Sequence, residues 1–128
     1  MKKFFVVILA FILSVNIVKA AVLPFSQGFD ATVKTPLLVL VYAQWADNSA
    51  GVLQTFRNIQ NKYGTQFNYT ELDIATPDAK AFNQKFHIYP NLPYILMFRD
   101  GGKVSRYIQK DCANDFACID SKLKTFIQ

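Results

Sequence analysis

The amino-acid order predicts an α/β protein of three layers, a central mixed β-sheet flanked by helices. Three observations predict it. Leu37 to Ala43 reads LLVLVYA, an unbroken apolar run, which is the pattern of a strand covered on both faces. Ser49 to Tyr63 places Val52, Leu53, Phe56, Ile59 and Tyr63 at three- and four-residue steps, which makes one apolar helical face. Asp100-Gly101-Gly102 separates two strand-like runs, as the turn of a tight hairpin does.

The remaining elements follow in order. Residues 21 to 35 read as an irregular lead-in broken by Pro24 and Gly28, and the domain proper is expected over residues 36–128. After the first strand, Asp47-Asn48-Ser49 offers preferred N-cap types for the Ser49–Tyr63 helix, and Gly64 is a stop. Phe67 to Ile74 reads as a second strand. Thr76-Pro77 starts a short helix, with Thr as N-cap and Pro at the first helical position; Ala79, Phe82 and Phe86 carry its apolar face. Tyr94 to Arg99 and Lys103 to Gln109 are the hairpin strands. Phe116, Ile119, Leu123 and Phe126 share one face of a closing helix over Asp115 to Gln128, and Asp111 to Ala117, which shows no periodic apolar face, reads as a loop leading into it. The order β-α-β-α-β-β-α pairs the early strands in parallel through crossovers, and the hairpin adds an antiparallel strand.

Residues 1–20 have the layout of a signal peptide. Lys2 and Lys3 precede an apolar run from Phe4 to Leu13, and Val18-Lys19-Ala20 offers a cleavage site before Ala21. The run is short for a membrane span of about 20 residues. The expected product is periplasmic or secreted, with no stable membrane anchor after cleavage. Cleavage removes three of the 14 Lys and Arg residues against 9 acidic ones, so most of the +5 charge leaves with the signal. No basic stripe remains to hold nucleic acid.

Cys112 and Cys118 are the two cysteines. In an oxidising compartment they are expected to pair as a structural disulfide, giving about 2–3 kcal/mol because the closed loop is small. Asp111 and Asp115 beside them disfavour a thiolate. The bond is expected to be separable from any binding site. His87, the sole histidine, has no partner ligands near it in sequence, so no metal site or other cofactor is implied. Asn68-Tyr69-Thr70 matches a glycosylation sequon, but it falls within a predicted strand.

Three stretches together resemble the thioredoxin family over residues 36 to 128: VYAQWADNSAG at the strand-to-helix junction, Leu92-Pro93-Tyr94 opening a strand, and the hairpin FRDGGKV. The resemblance implies a cis bond at Leu92-Pro93. It also exposes departures. The positions of the family's two redox cysteines are Ala46 and Ser49, and Leu40 stands where the family often buries an acid. Disulfide exchange needs a low-pKa thiolate and a resolving thiol, and these side chains supply neither. No catalytic residue is assigned, and the enzyme question leans to no. The resemblance instead implies a redox-inactive module that binds a protein or peptide partner. Trp45, Ala46, Leu92, Pro93 and Tyr94 would form its patch, in a chaperone-like or envelope-assembly role. Two alternatives stay open: an atypical thiol–disulfide oxidoreductase using Cys112 and Cys118, and a structural accessory domain in which Trp45 and Pro93 only pack.

Overall fold

A computed structural model describes residues 21–127, so the expected signal peptide lies outside the described residues. The elements are β1 (Ala21–Val22), α1 (Phe25–Asp30), a 3-10 turn (Ala31–Val33), β2 (Leu37–Tyr42), α2 (Ser49–Tyr63), β3 (Asn68–Asp73), α3 (Pro77–Phe86), β4 (Tyr94–Arg99), β5 (Lys103–Ile108), α4 (Lys110–Ala113) and α5 (Phe116–Ile127). One mixed sheet runs in the order β1-β3-β2-β4-β5. β1 and β2 pair in parallel with β3, while β4 runs antiparallel to both β2 and β5. Among the described residues, no helix is long and apolar enough to cross a membrane.

The apolar run is explained by the sheet's two covered faces. Leu38 and Leu40 point to one side, where α2 and α5 bring Val52, Phe56, Ile59, Ile119 and Leu123. Leu37, Val39 and Val41 point to the other, against Phe25, Ala79 and Phe82 of α1 and α3. Alternate side chains leave a strand on opposite faces, so a strand buried twice must be apolar at every position. Asp100, Gly101 and Gly102 all take positive φ at the β4–β5 turn. Gly102 also meets the Phe29 ring where a Cβ would sit, so only glycine fits there.

The expected irregular lead-in is corrected. Residues 21–35 hold a short strand and a helix, and both belong to the domain. Helix α1 was illegible because Ser26, Gly28 and Asp30 are poor helix formers and only Phe25 and Phe29 mark an apolar face. Tertiary contacts hold it instead. Gly28 lies against Leu37, and the Phe25 N–H donates to Asp78 Oδ2 at 2.8 Å. The Thr70 hydroxyl of the sequon donates to the Leu23 carbonyl at 3.0 Å within the same contact region.

The expected loop over Asp111 to Ala117 is also corrected. Lys110–Ala113 forms the single turn α4, which reaches into it, while α5, starting at Phe116, falls within the expected closing helix. The Asp115 carboxylate accepts from the Ala117 and Cys118 N–H groups at 3.0 and 3.3 Å, capping α5. The Cys112–Cys118 disulfide is present and joins α4 to α5. Replacing both cysteines by alanine should cost about 2 kcal/mol in a urea titration, from the entropy of so small a ring. No loss of stability would mean that the bond holds nothing in place.

Helix α5 is fixed to α2 by one buried acid. Asp120 accepts from Lys62 at 2.8 Å and from the Tyr63 hydroxyl, and Lys124 lies 3.3 Å away. These bonds, Lys62 first, hold its carboxyl down to about 2, below the ordinary 3.8. A carboxylate depressed in the folded state stabilises fully above its unfolded value and loses that contribution as pH falls toward the folded one. Melting temperature should therefore drop between about pH 4 and about pH 2, and Asp120→Asn should flatten that drop. An unchanged pH slope in the variant would assign the acid sensitivity elsewhere.

Candidate functional site

Register decides what meets at the site. Val41 pairs with Tyr94, and Ile95 pairs with Ile108. The residues after β2, before β4 and after β5 therefore emerge at one end of the sheet. There they enclose a cleft of about 240 Å³, lined by Tyr42, Ala43, Ala46, Asp47, Ser49, Val52, Leu92, Pro93, Lys110 and Asn114. The Leu92-Pro93 bond is cis.

The loop from Ala43 to Asn48 is folded on itself. The Ala46 N–H donates to the Ala43 carbonyl at 3.1 Å, and Ser49 N–H to the Ala46 carbonyl at 3.3 Å. The buried Asp73 side chain accepts from the Gln44 and Ala75 N–H groups at 3.4 and 3.1 Å, tying this loop to the start of α3. The expected capping of α2 is corrected. Asn48 takes a left-handed backbone, φ 66°, and makes no side-chain cap bond. The Ser49 hydroxyl turns back to donate to the Gln44 carbonyl at 3.0 Å. At α3, Pro77 does stand at the helix start, but the Thr76 hydroxyl donates to the Asp73 carbonyl rather than capping.

The patch read from sequence is brought together in part. Ala46, Leu92 and Pro93 share the cleft. Trp45 stands outside it and is 67% exposed, so it does not pack as a core residue. Tyr94 is fully buried and accepts from the Tyr89 N–H at 3.2 Å, so its side chain faces the interior and not a ligand. Tyr42, Val52, Lys110 and Asn114 were missed. Lys110 and Asn114 carry no sequence signal, because only the sheet's register delivers them.

The cleft mixes apolar walls with the polar side chains of Asp47, Ser49, Lys110 and Asn114. Its walls hold no cysteine or histidine. Ala46 and Ser49 stand a turn apart, with a hydroxyl in place of any thiol. Burial raises the Tyr42 phenol, and the nearby Asp73 and Glu71 charges raise it further, so it stays protonated at neutral pH. His87 is an exposed residue at the end of α3. Among the described residues, no cluster of His, Cys, Asp or Glu is arranged to hold a metal ion.

No protein-family model matches the chain. It is 28% identical to Thioredoxin C-2 of Corynebacterium nephridii over 104 residues, spanning 79% of this chain and 87% of that protein. Among solved structures it is similar to thioredoxin O2 of Arabidopsis thaliana in the oxidised state. That match has a TM-score of 0.66 and 15% identity over 86% of this chain and 96% of the other. It is also similar to a chain of the complex between ferredoxin:thioredoxin reductase and thioredoxin f2. There the TM-score is 0.67 and the identity 13%, over 86% and 96% of the two chains.

Proposed function

Starting from a chain that is thioredoxin-like in sequence and fold, we propose that it is an exported, redox-inactive module whose cleft takes an extended segment of a protein partner. One observation carries the reading. An exposed tryptophan stands beside a cleft whose apolar walls, Ala46, Val52, Leu92 and Pro93, include no thiol. An exposed indole next to a concave apolar site is the kind of anchor that binding surfaces use. An extended segment would add main-chain hydrogen bonds to the side-chain contacts. A thioredoxin of the same fold is seen in complex with ferredoxin:thioredoxin reductase, which fits a fold able to present a protein-docking surface. Export rests on the layout of residues 1–20, and N-terminal sequencing of the cellular protein tests it. A mature chain beginning at Met1 would remove it.

Leu92→Glu puts a charge against the apolar wall and should weaken binding of an extended, cysteine-blocked polypeptide by about tenfold or more. That is on the scale set by burying an unpaired charge. Fluorescence of Trp45, the single tryptophan, reads the binding directly. Equal affinity in the variant would place the partner elsewhere. A second reading, thiol exchange at Cys112–Cys118, has one observation in its favour: both cysteines line an open groove.

A further inference from the structure

The disulfide and the cleft share one short helix. Lys110 and Asn114, four residues apart, line the cleft. Asp111, Cys112 and Asp115 line the groove behind it, with Cys118 and Lys122. Helix α4 is thus a one-turn partition between cleft and groove. Four residues cannot hold a helix by themselves. What holds α4 is the burial of Ala113, its N–H bond to the Gln109 carbonyl at 2.8 Å, and the bond from Cys112 to α5. Helix α5 is anchored independently, with Ile119 and Leu123 fully buried and Asp120 bonded to Lys62 and Tyr63.

We propose that the Cys112–Cys118 disulfide is a redox gate on the cleft: intact, it fixes the wall made by Lys110 and Asn114; reduced, it frees that wall and weakens peptide binding. The ligand rests on the binding reading above, but the geometry does not. This replaces the expectation that the bond and the site are separable. Cys112 and Cys118 are half-buried and line an open groove of about 360 Å³, which gives a small dithiol an approach to the bond. One thiolate of the dithiol attacks one cysteine sulfur. The Sγ–Sγ bond breaks, and the other cysteine leaves as a thiolate that takes up a proton. The dithiol's second thiolate then displaces the first protein sulfur. Two electrons enter the protein as two thiols, and the reductant leaves as a disulfide.

The test uses reduced, carboxymethylated ribonuclease A, an extended polypeptide with neither free thiols nor tryptophan. Its binding is followed by Trp45 fluorescence before and after treatment with dithiothreitol. The dissociation constant should rise about tenfold on reduction and return on reoxidation. Coupling is reciprocal, so saturating polypeptide should lower the reduction potential of the pair by about 30 mV. Hydrogen exchange should show α4 amides losing protection while α2 and the sheet keep theirs. Unchanged exchange in α4, equal affinity in both states, or loss of protection throughout the sheet would each overturn the gate. If the probe binds neither state, the binding reading falls. Chemical shifts of Ala46 and Leu92 then decide the gate: movement on reduction upholds it, and none overturns it. Leu92→Glu should lose binding yet keep the exchange response.

Discussion

Phe25→Ala should destabilise the protein by about 3–5 kcal/mol, the range for removing a buried aromatic side chain. Phe25 is 1% exposed, and its ring lies 5.1 to 6.1 Å from those of Phe29, Phe82, Phe86 and Phe98. It ties α1 to α3 and to the sheet at once. Truncation leaves a cavity that these neighbours can close only by moving away from one another. Loss of their edge-to-face contacts adds to the lost burial. Urea unfolding of the chain from Ala21 onward measures the effect. Trp45→Ala, at an exposed position, should stay within about 0.5 kcal/mol in the same assay. A cost below about 1 kcal/mol for Phe25→Ala would show that residues 21–35 are an appendage rather than part of the core, since core truncations of this kind cost more.

Insulin reduction in the presence of this protein should run at the uncatalysed rate. The positions that would bear the nucleophile and the resolving thiol are Ala46 and Ser49, and neither side chain can form a mixed disulfide. Installing the pair, Ala46→Cys with Ser49→Cys, should restore little activity. Helix α2 begins at Ser49, so residue 46 lies outside the first turn, where the helix dipole stabilises a thiolate. An unactivated thiol near pKa 8.5 is roughly 3% ionised at pH 7. Insulin reduction by the unaltered chain that survives Cys112→Ser with Cys118→Ser would contradict this account. Reduction abolished by that pair of changes would move the chemistry to α4 and support the oxidoreductase reading.

The sequence by itself determined the sheet's central strands, the helices α2, α3 and α5, the hairpin turn and the cysteine pairing. Each is written in local periodicity, in glycine placement or in the count of cysteines. Leu37 to Val41 needed no structure to be read as doubly buried, because a strand's two faces alternate residue by residue. The family resemblance added the Leu92-Pro93 cis bond and the vacancy at Ala46 and Ser49. Helix α1 was decided only by tertiary structure. Ser26, Gly28 and Asp30 disfavour a helix, and the burial of Phe25 against α3 and the sheet overrides them. The Asp47–Ser49 segment failed in the opposite way. Its residues suit a cap, yet the left-handed Asn48 and the Gln44 carbonyl draw them into a different turn. The cleft was half legible. Its apolar walls at Ala46, Leu92 and Pro93 could be read, but Tyr94 alternates inward on its strand and Lys110 and Asn114 arrive from the far end of the chain. Side-chain direction and strand register are properties of the assembled sheet, and no local pattern encodes which loops that sheet will bring to the same end.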